Sequence, residues 1–266
     1  MALIIVGLVL IVVAAILYFV SRANARLALA AGSTEVSTIG DLRKLYQKVA
    51  GEVGAGMFNQ QAGLQGRIEC EQPLKSELSD TSCVAYRFRV ERRWEEDYEE
   101  RDSEGNVRRE TRNGSDTVAS NDRQVAFWLN DGSDRIEVTP EGAKIDMDKV
   151  VDRFEPGNPG GLLHFGGFQL TLGGMGMGSR RTMGYHYQEE VLPVDRSVYV
   201  LGAASDSSGS LGITKNRESK APFLISLKSR DQVVSSAKRT AAYTLYTAYV
   251  CAPLGLVLAI IGLVHR

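Results

Sequence analysis

Cys83-Val84-Ala85-Tyr86-Arg87-Phe88-Arg89-Val90 is the stretch that decides the fold of the middle of this chain. Val84, Tyr86, Phe88 and Val90 alternate with Ala85, Arg87 and Arg89. Successive side chains of a strand point to opposite faces, so this period of two defines one buried and one wetted face. Residues 92–112 then carry charges of both signs, with Ser103-Glu104-Gly105-Asn106 supplying turn chemistry midway. The pattern predicts a long hairpin reaching into solvent, its charges answered across the strands and not gathered into a binding patch.

Working outward, Val125–Leu129, Asn130–Asp134 and Arg135–Thr139 read as strand, turn and strand. Gly132 is free to take a positive φ in the turn, and Pro140 ends the second strand. Tyr185–Ala203 reads as a further strand pair about Pro193, Ser205–Lys220 as a polar loop, and Pro222–Ser226 as a last strand. On the other side, Ser37-Thr38 followed by Asp41, Leu42, Leu45 and Val49 reads as a capped short helix. Ser229 and Gln232 have capping-box spacing and open a second helix. The expected fold is therefore mainly β: a small antiparallel barrel or sandwich, with an OB-like barrel favoured.

The ends differ from the middle. Ala2–Val20 carries no charge, and Leu245–Val264 is apolar but for Thr247, Tyr249, Cys251 and Pro253. At about 1.5 Å rise per residue, each run is long enough to cross the hydrocarbon core of a bilayer. The rival reading of the N-terminus is a signal peptide, with Ala23-Asn24-Ala25 as the cleavage site; the absence of a basic residue ahead of a long apolar run weighs against it. The layout expected is a membrane helix at 1–21, a membrane-proximal helix and linker at 22–59, and a β-domain at 60–228. A juxtamembrane helix at 229–243 and a second membrane helix at 244–266 complete it. Arg22, Arg26, Arg43 and Lys44 follow the first span, and Lys228, Arg230, Lys238 and Arg239 precede the second. By the positive-inside rule the central domain faces the cytoplasm of a plasma-membrane protein, with the periplasm as the alternative.

A net charge of −1 gives no basic field, so nucleic acid is not an expected partner. Neither a P-loop nor a Gly-x-Ser-x-Gly elbow is present, and no Cys-x-x-Cys or His-x-x-x-His suggests zinc. No catalytic, cofactor or metal residues are assigned. His186 reads as a packed or surface residue. Cys70 and Cys83 read as buried thiols on strands, though an oxidising compartment would let them pair; Cys251 lies in the second span. Neither span holds an ionisable group in its apolar core, which is poor material for a transport path. The glycine-rich segment 156–178 stands apart. Its plain reading is a flexible loop; its functional reading is a greasy loop that touches the membrane or a partner through Leu162, Leu163, Phe165, Phe168, Met175 and Met177.

Pro73-Leu74-Lys75-Ser76-Glu77-Leu78-Ser79 followed by Cys83–Arg87 resembles the opening of the GIDE domain, also called the BAM ("beside a membrane") domain. The resemblance continues through Phe127–Gly132, Ile136–Ala143, Val198–Ala203 and Pro222–Ser226, covering most of residues 60–245. It implies a membrane-side domain between two spans, as in a mitochondrial E3 ubiquitin ligase that carries a RING finger after the second. A RING holds two four-coordinate zinc ions on about eight Cys and His ligands, whereas this sequence has three of each, none suitably spaced. What the resemblance implies here is a prokaryotic-type sensing or docking module without the ligase chemistry, binding a protein, peptide or lipid beside the bilayer. An E3 ligase-like protein, or the membrane subunit of one, is the alternative. A homo-oligomer, including an oligomeric channel, stays open.

Overall fold

A computed structural model describes residues 2–34, 37–54, 56–101, 107–157, 162–165, 168–171, 180–207, 209–216, 219 and 221–264. In chain order the elements are α1 (Ala2–Ser33), α2 (Ile39–Val53), β1 (Asn59–Glu69), β2 (Leu74–Lys75), β3 (Ser82–Arg101), β4 (Val107–Gln124), β5 (Phe127–Asn130), β6 (Arg135–Val138) and β7 (Lys144–Ile145). They continue with β8 (Asp148–Pro156), β9 (Leu162–Phe165), β10 (Phe168–Thr171), β11 (Arg180–Pro193), β12 (Ser197–Ser205), β13 (Gly212–Thr214), β14 (Leu224–Ser226) and α3 (Arg230–Val264).

Five strands close a barrel in the order β1-β5-β6-β13-β12 and back to β1, with β14 and β7 extending from β12. Numbered along the chain, the ring reads first, second, third, fifth, fourth. The third and fifth strands run parallel, with Gly212 opposite Glu137 and Ile213 opposite Val138. This is the Greek-key ring of an OB-type barrel, as the strand pattern led us to expect. Leu64, Ile68, Leu129, Ile136, Val200 and Ile213 fill it, all at or near zero exposure. Gly132 turns β5 into β6 with φ of 87°.

The barrel carries two long insertions, and they pair with each other. One, between its first and second strands, supplies β2, β3 and β4; the other, between its third and fourth, supplies β7 to β11. β3 lies between β4 and β11, and β8 flanks β11, giving a second sheet. The hairpin is longer than the charge pattern alone marks, running from Ala85 opposite Gln124 to Arg101 opposite Val107. At about 3.4 Å per residue, its strands reach some 60 Å. Their root is fixed because Val84, Ala85 and Leu192 belong to the barrel core. Farther out, Tyr86, Phe88, Val90, Tyr185, Tyr187 and Val191 make a second core on one sheet face.

One expectation fails here. β11 and β12 are not a strand pair about Pro193: β11 pairs with β3 and β8, and β12 with β1, β13 and β14. The intervening turn passes the chain from one sheet to the other. Asp195, at φ 62°, donates its N–H to the Ile68 carbonyl, and the Arg196 carbonyl accepts from Ile68.

α2 is capped as expected, Thr38 Oγ1 accepting from the Asp41 N–H at 3.1 Å. The β5–β6 turn completes the cap: Asp131 Oδ2 accepts from Ile39 N at 2.7 Å and Ser133 Oγ from Gly40 N at 3.0 Å. α1 and α3 are each long and apolar enough to cross a membrane, and most of their apolar surface is uncovered. Neither stops where its apolar run stops. α1 continues through Arg22 to Ser33, and α3 begins at Arg230 with the Ser229–Gln232 capping box, Ser229 N donating to Gln232 Oε1 at 3.1 Å.

The two helices form one antiparallel hairpin. Buried Gly7, Ala14, Ser21 and Ala28 recur every seven residues on α1, and Ala248, Gly255 and Gly262 on α3. A Cβ at Gly7 would stand 2.6 Å from the Gly255 carbonyl oxygen and 2.7 Å from Ala259 N, so backbone packs on backbone. Ser21 Oγ donates to the Ala241 carbonyl at 2.8 Å, and Arg230 donates to the Ala31 and Gly32 carbonyls that end α1. Beyond that junction Ala31 and Val233 pack with Tyr199, Leu201 and Leu224 of the barrel wall.

Candidate functional site

The Pro73–Ser79 motif folds as a tight loop between β2 and β3, held from beneath by a carboxylate. Glu189 of β11 has no exposed surface. Its oxygens accept from Leu78 N at 2.7 Å, Ser79 N at 2.9 Å, Ser76 Oγ at 3.0 Å and Ser79 Oγ at 2.5 Å. Four donors close on this buried carboxyl group, which leaves it no face open to a substrate. Cys83 lies beside it. Burial, then the Glu189 charge, pushes the thiol up to about 11, so it stays protonated and unreactive near neutral pH. Cys70 is half-buried, and all three cysteines are free thiols. This corner is structural.

The outer half of the second sheet has a different character. On one face, Arg92 pairs with Asp116 at 2.8 Å, and Glu96 meets Arg112 at 2.7 Å and Arg180 at 3.3 Å. These are the cross-strand answers expected of the charged hairpin. The Arg180 guanidinium lies 4.1 Å from the Trp94 ring centre, and Trp94 lies against Gly114 so closely that a Cβ there would fall 2.3 Å from the indole. Arg92 helps hold the Asp116 carboxyl below its ordinary value.

On the other face, that of Arg93, the sheet surface forms a shallow depression of about 470 Å³, lined by Arg93, Glu95, Asn113, Ser115, Phe154 and Met183. A second hollow of about 200 Å³ lies among Arg93, Phe154 and His186. Phe154 is 47% exposed and Met183 39%, large apolar side chains left uncovered on a rigid sheet. Phe154 is set by close approach, because a Cβ at Gly184 would stand 2.6 Å from its ring. At the rim, His186 Nε2 meets Asp152 Oδ1 at 2.7 Å, and Lys149 meets the other oxygen at 2.9 Å. The Lys149 hydrogen bond, then that of His186, lowers the Asp152 carboxyl. Tyr187, buried beneath the Arg153 guanidinium, is pushed up to about 12 by burial and then by Glu155. Among the described residues no three His, Cys, Asp or Glu side chains are grouped to hold a metal ion.

Of the contact residues named from sequence, Leu162, Leu163, Phe165 and Phe168 fall on β9 and β10, a two-stranded antiparallel unit. Its register sets Phe165 opposite Phe168 and Leu163 opposite Leu170. Met175 and Met177 lie outside the described residues. The segment joins β8 to β11, the two strands that carry Phe154 and Met183. The sequence reading did not single out Arg93, Trp94, Phe154 or Met183. They come from three strands brought together by pairing of the two insertions, and nothing local marks them.

A two-sheet β-domain between two helices that fit a membrane protein is the class that fold and site define. The chain belongs to the GIDE family, described as "E3 Ubiquitin ligase", whose sequence profile matches residues 95–259. Neither the curated proteins nor the solved structures include a match.

Proposed function

We propose that this protein is a membrane-tethered docking module. The α1–α3 hairpin anchors it, the barrel is its platform, and the projecting sheet presents the recognition surface to a protein or peptide beside the bilayer. The observation that carries this reading is the exposed pair Phe154 and Met183 next to the Arg93 cation. An apolar anchor with a charge at its edge is the composition of an interface centre and its rim. The glycine-rich segment 157–178, which joins the strands carrying Phe154 and Met183, is proposed as a second contact. Lys and Arg at the domain ends of both spans favour a cytoplasmic domain in this reading.

A pull-down in mild detergent with mass spectrometry tests it, comparing the natural chain with Phe154→Ser/Met183→Ser and with a chain lacking residues 157–178. The surface variant loses specific partners while keeping its thermal stability, and recovery of the same partners from all three chains refutes the reading. The family's description favours a second reading, in which the chain is the membrane part of a ubiquitin-transferring enzyme. Incubation with E1, an E2 and ubiquitin discriminates them. Polyubiquitin chains formed by the purified protein would replace docking with catalysis.

A further inference from the structure

The antiparallel hairpin sets residues of α1 and α3 at common heights, because Ser21 meets Ala241 and Gly7 meets Gly255 and Ala259. At the height of Tyr18 and Phe19 therefore stand Tyr243 and Tyr246, all exposed, with Tyr249 a turn deeper. Aromatic side chains that ring a helix pair at one height are the mark of the membrane–water interface, where an apolar ring with a polar edge sits best. From this ring toward Leu3 and Val264 the outer surfaces are apolar.

One to two turns beyond the ring, toward the barrel, stand Arg22 and Arg26 of α1 and Lys238 and Arg239 of α3. All four are exposed, and none pairs with a carboxylate among the described residues. The Arg22 guanidinium reaches back over the Tyr18 ring at 5.8 Å and donates to its hydroxyl at 3.4 Å, tying the cations to the aromatic ring. No Asp or Glu occurs in α1, and α3 has only Asp231 at its far end, beside Arg230. On the projecting sheet Arg87, Arg92, Arg112 and Arg180 each meet an acid across the strands. Here four cations stand together with no internal counter-charge.

We infer that Arg22, Arg26, Lys238 and Arg239 form a collar that binds the headgroups of anionic phospholipids. The headgroup phosphates supply the counter-charge that the chain withholds, at the depth the aromatic ring sets. A second consequence is height. From Tyr18 to Ser33, and from Tyr246 to Arg230, each helix rises about 23 Å above the ring, so the barrel stands on a stalk and does not rest on the lipid.

The test is electron paramagnetic resonance of proteoliposomes holding the full chain, with spin-labelled phosphatidylglycerol or spin-labelled phosphatidylcholine as probe. The motionally restricted fraction of each gives their relative association. Phosphatidylglycerol is preferred by about threefold or more, falling toward one in high salt and in the Arg22→Gln/Arg26→Gln/Lys238→Gln/Arg239→Gln variant. The control Lys44→Gln/Lys48→Gln, on α2, keeps the preference, and so does the natural chain in excess inorganic phosphate at matched ionic strength. A natural chain with no preference, a collar variant that retains it, or a control that loses it overturns the inference. Loss to free phosphate alone would make the collar an anion site rather than a lipid site, and would overturn it too.

Discussion

Glu189 is the residue whose removal makes the sharpest demand on this structure. Glu189→Ala leaves Leu78 N and Ser79 N, now bonded at 2.7 and 2.9 Å, facing a buried space with no acceptor. An orphaned buried donor costs about 1–3 kcal/mol. The hydroxyls lose less, since their freed protons can turn to each other or to Thr81: Ser76 Oγ and Ser79 Oγ stand 2.9 Å apart, and Ser79 Oγ stands 2.8 Å from Thr81 Oγ1. The two amides together set the penalty at about 3–4 kcal/mol. For a domain of this size that is a fall of about 10 °C in Tm. Glu189→Gln keeps one carbonyl oxygen for an amide and costs about 1–2 kcal/mol. Differential scanning fluorimetry in mild detergent, reading Trp94 and Trp128, measures both, and hydrogen exchange of residues 74–81 locates the change. An Ala variant within about 2 °C of the natural protein refutes the argument, as do equal losses for Ala and Gln.

Gly7→Leu forces a side chain where a Cβ alone meets backbone at 2.6 Å, so the helix pair parts and detergent-solubilised protein exposes α1 to protease while the β-domain resists. Acid releases α2. Its hydrogen bond with Arg43 holds the Asp134 carboxyl below 3.8, and burial of Asp131 is outweighed by the amides of Ile39, Ser133 and Asp134, which hold that group low as well. A folded value below the unfolded one contributes stability in full above about pH 4, and loses it as pH falls through the folded value. Hydrogen exchange in α2 therefore accelerates in acid before the barrel opens, and Asp134→Asn removes part of that pH dependence. Iodoacetamide at pH 8 labels Cys70 in the folded chain and Cys83 only on denaturation, because burial keeps the Cys83 thiol protonated to about 11; peptide mapping reads both.

How much was legible in the sequence depended on the length scale of each interaction. The β3 alternation, the Thr38 cap, the Gly132 turn and the Ser229–Gln232 box are local, and each is written in adjacent residues. The barrel closure followed from the number and spacing of strands. What was missed is non-local. β11 and β12 look like a hairpin because three residues separate them, yet their partners lie in different sheets, and only the pairing of two insertions decides that. Arg93, Phe154 and Met183 meet for the same reason. The sevenfold repeat of Gly7, Ala14, Ser21 and Ala28 was hidden by its setting, since seam and outer surface are both apolar and hydropathy shows no contrast.

The arginine that closes the top of the helical hairpin has a mechanical meaning. A domain hung from one helix can spin about it, and its surfaces face every direction in turn. Here Arg230 clasps the last carbonyls of α1, so the barrel leaves the stalk by two strands of chain fastened to each other. Such a mount resists torsion. The long sheet then sweeps no circle about the stalk; it points along one bearing, and a partner of the kind proposed would meet it from that side.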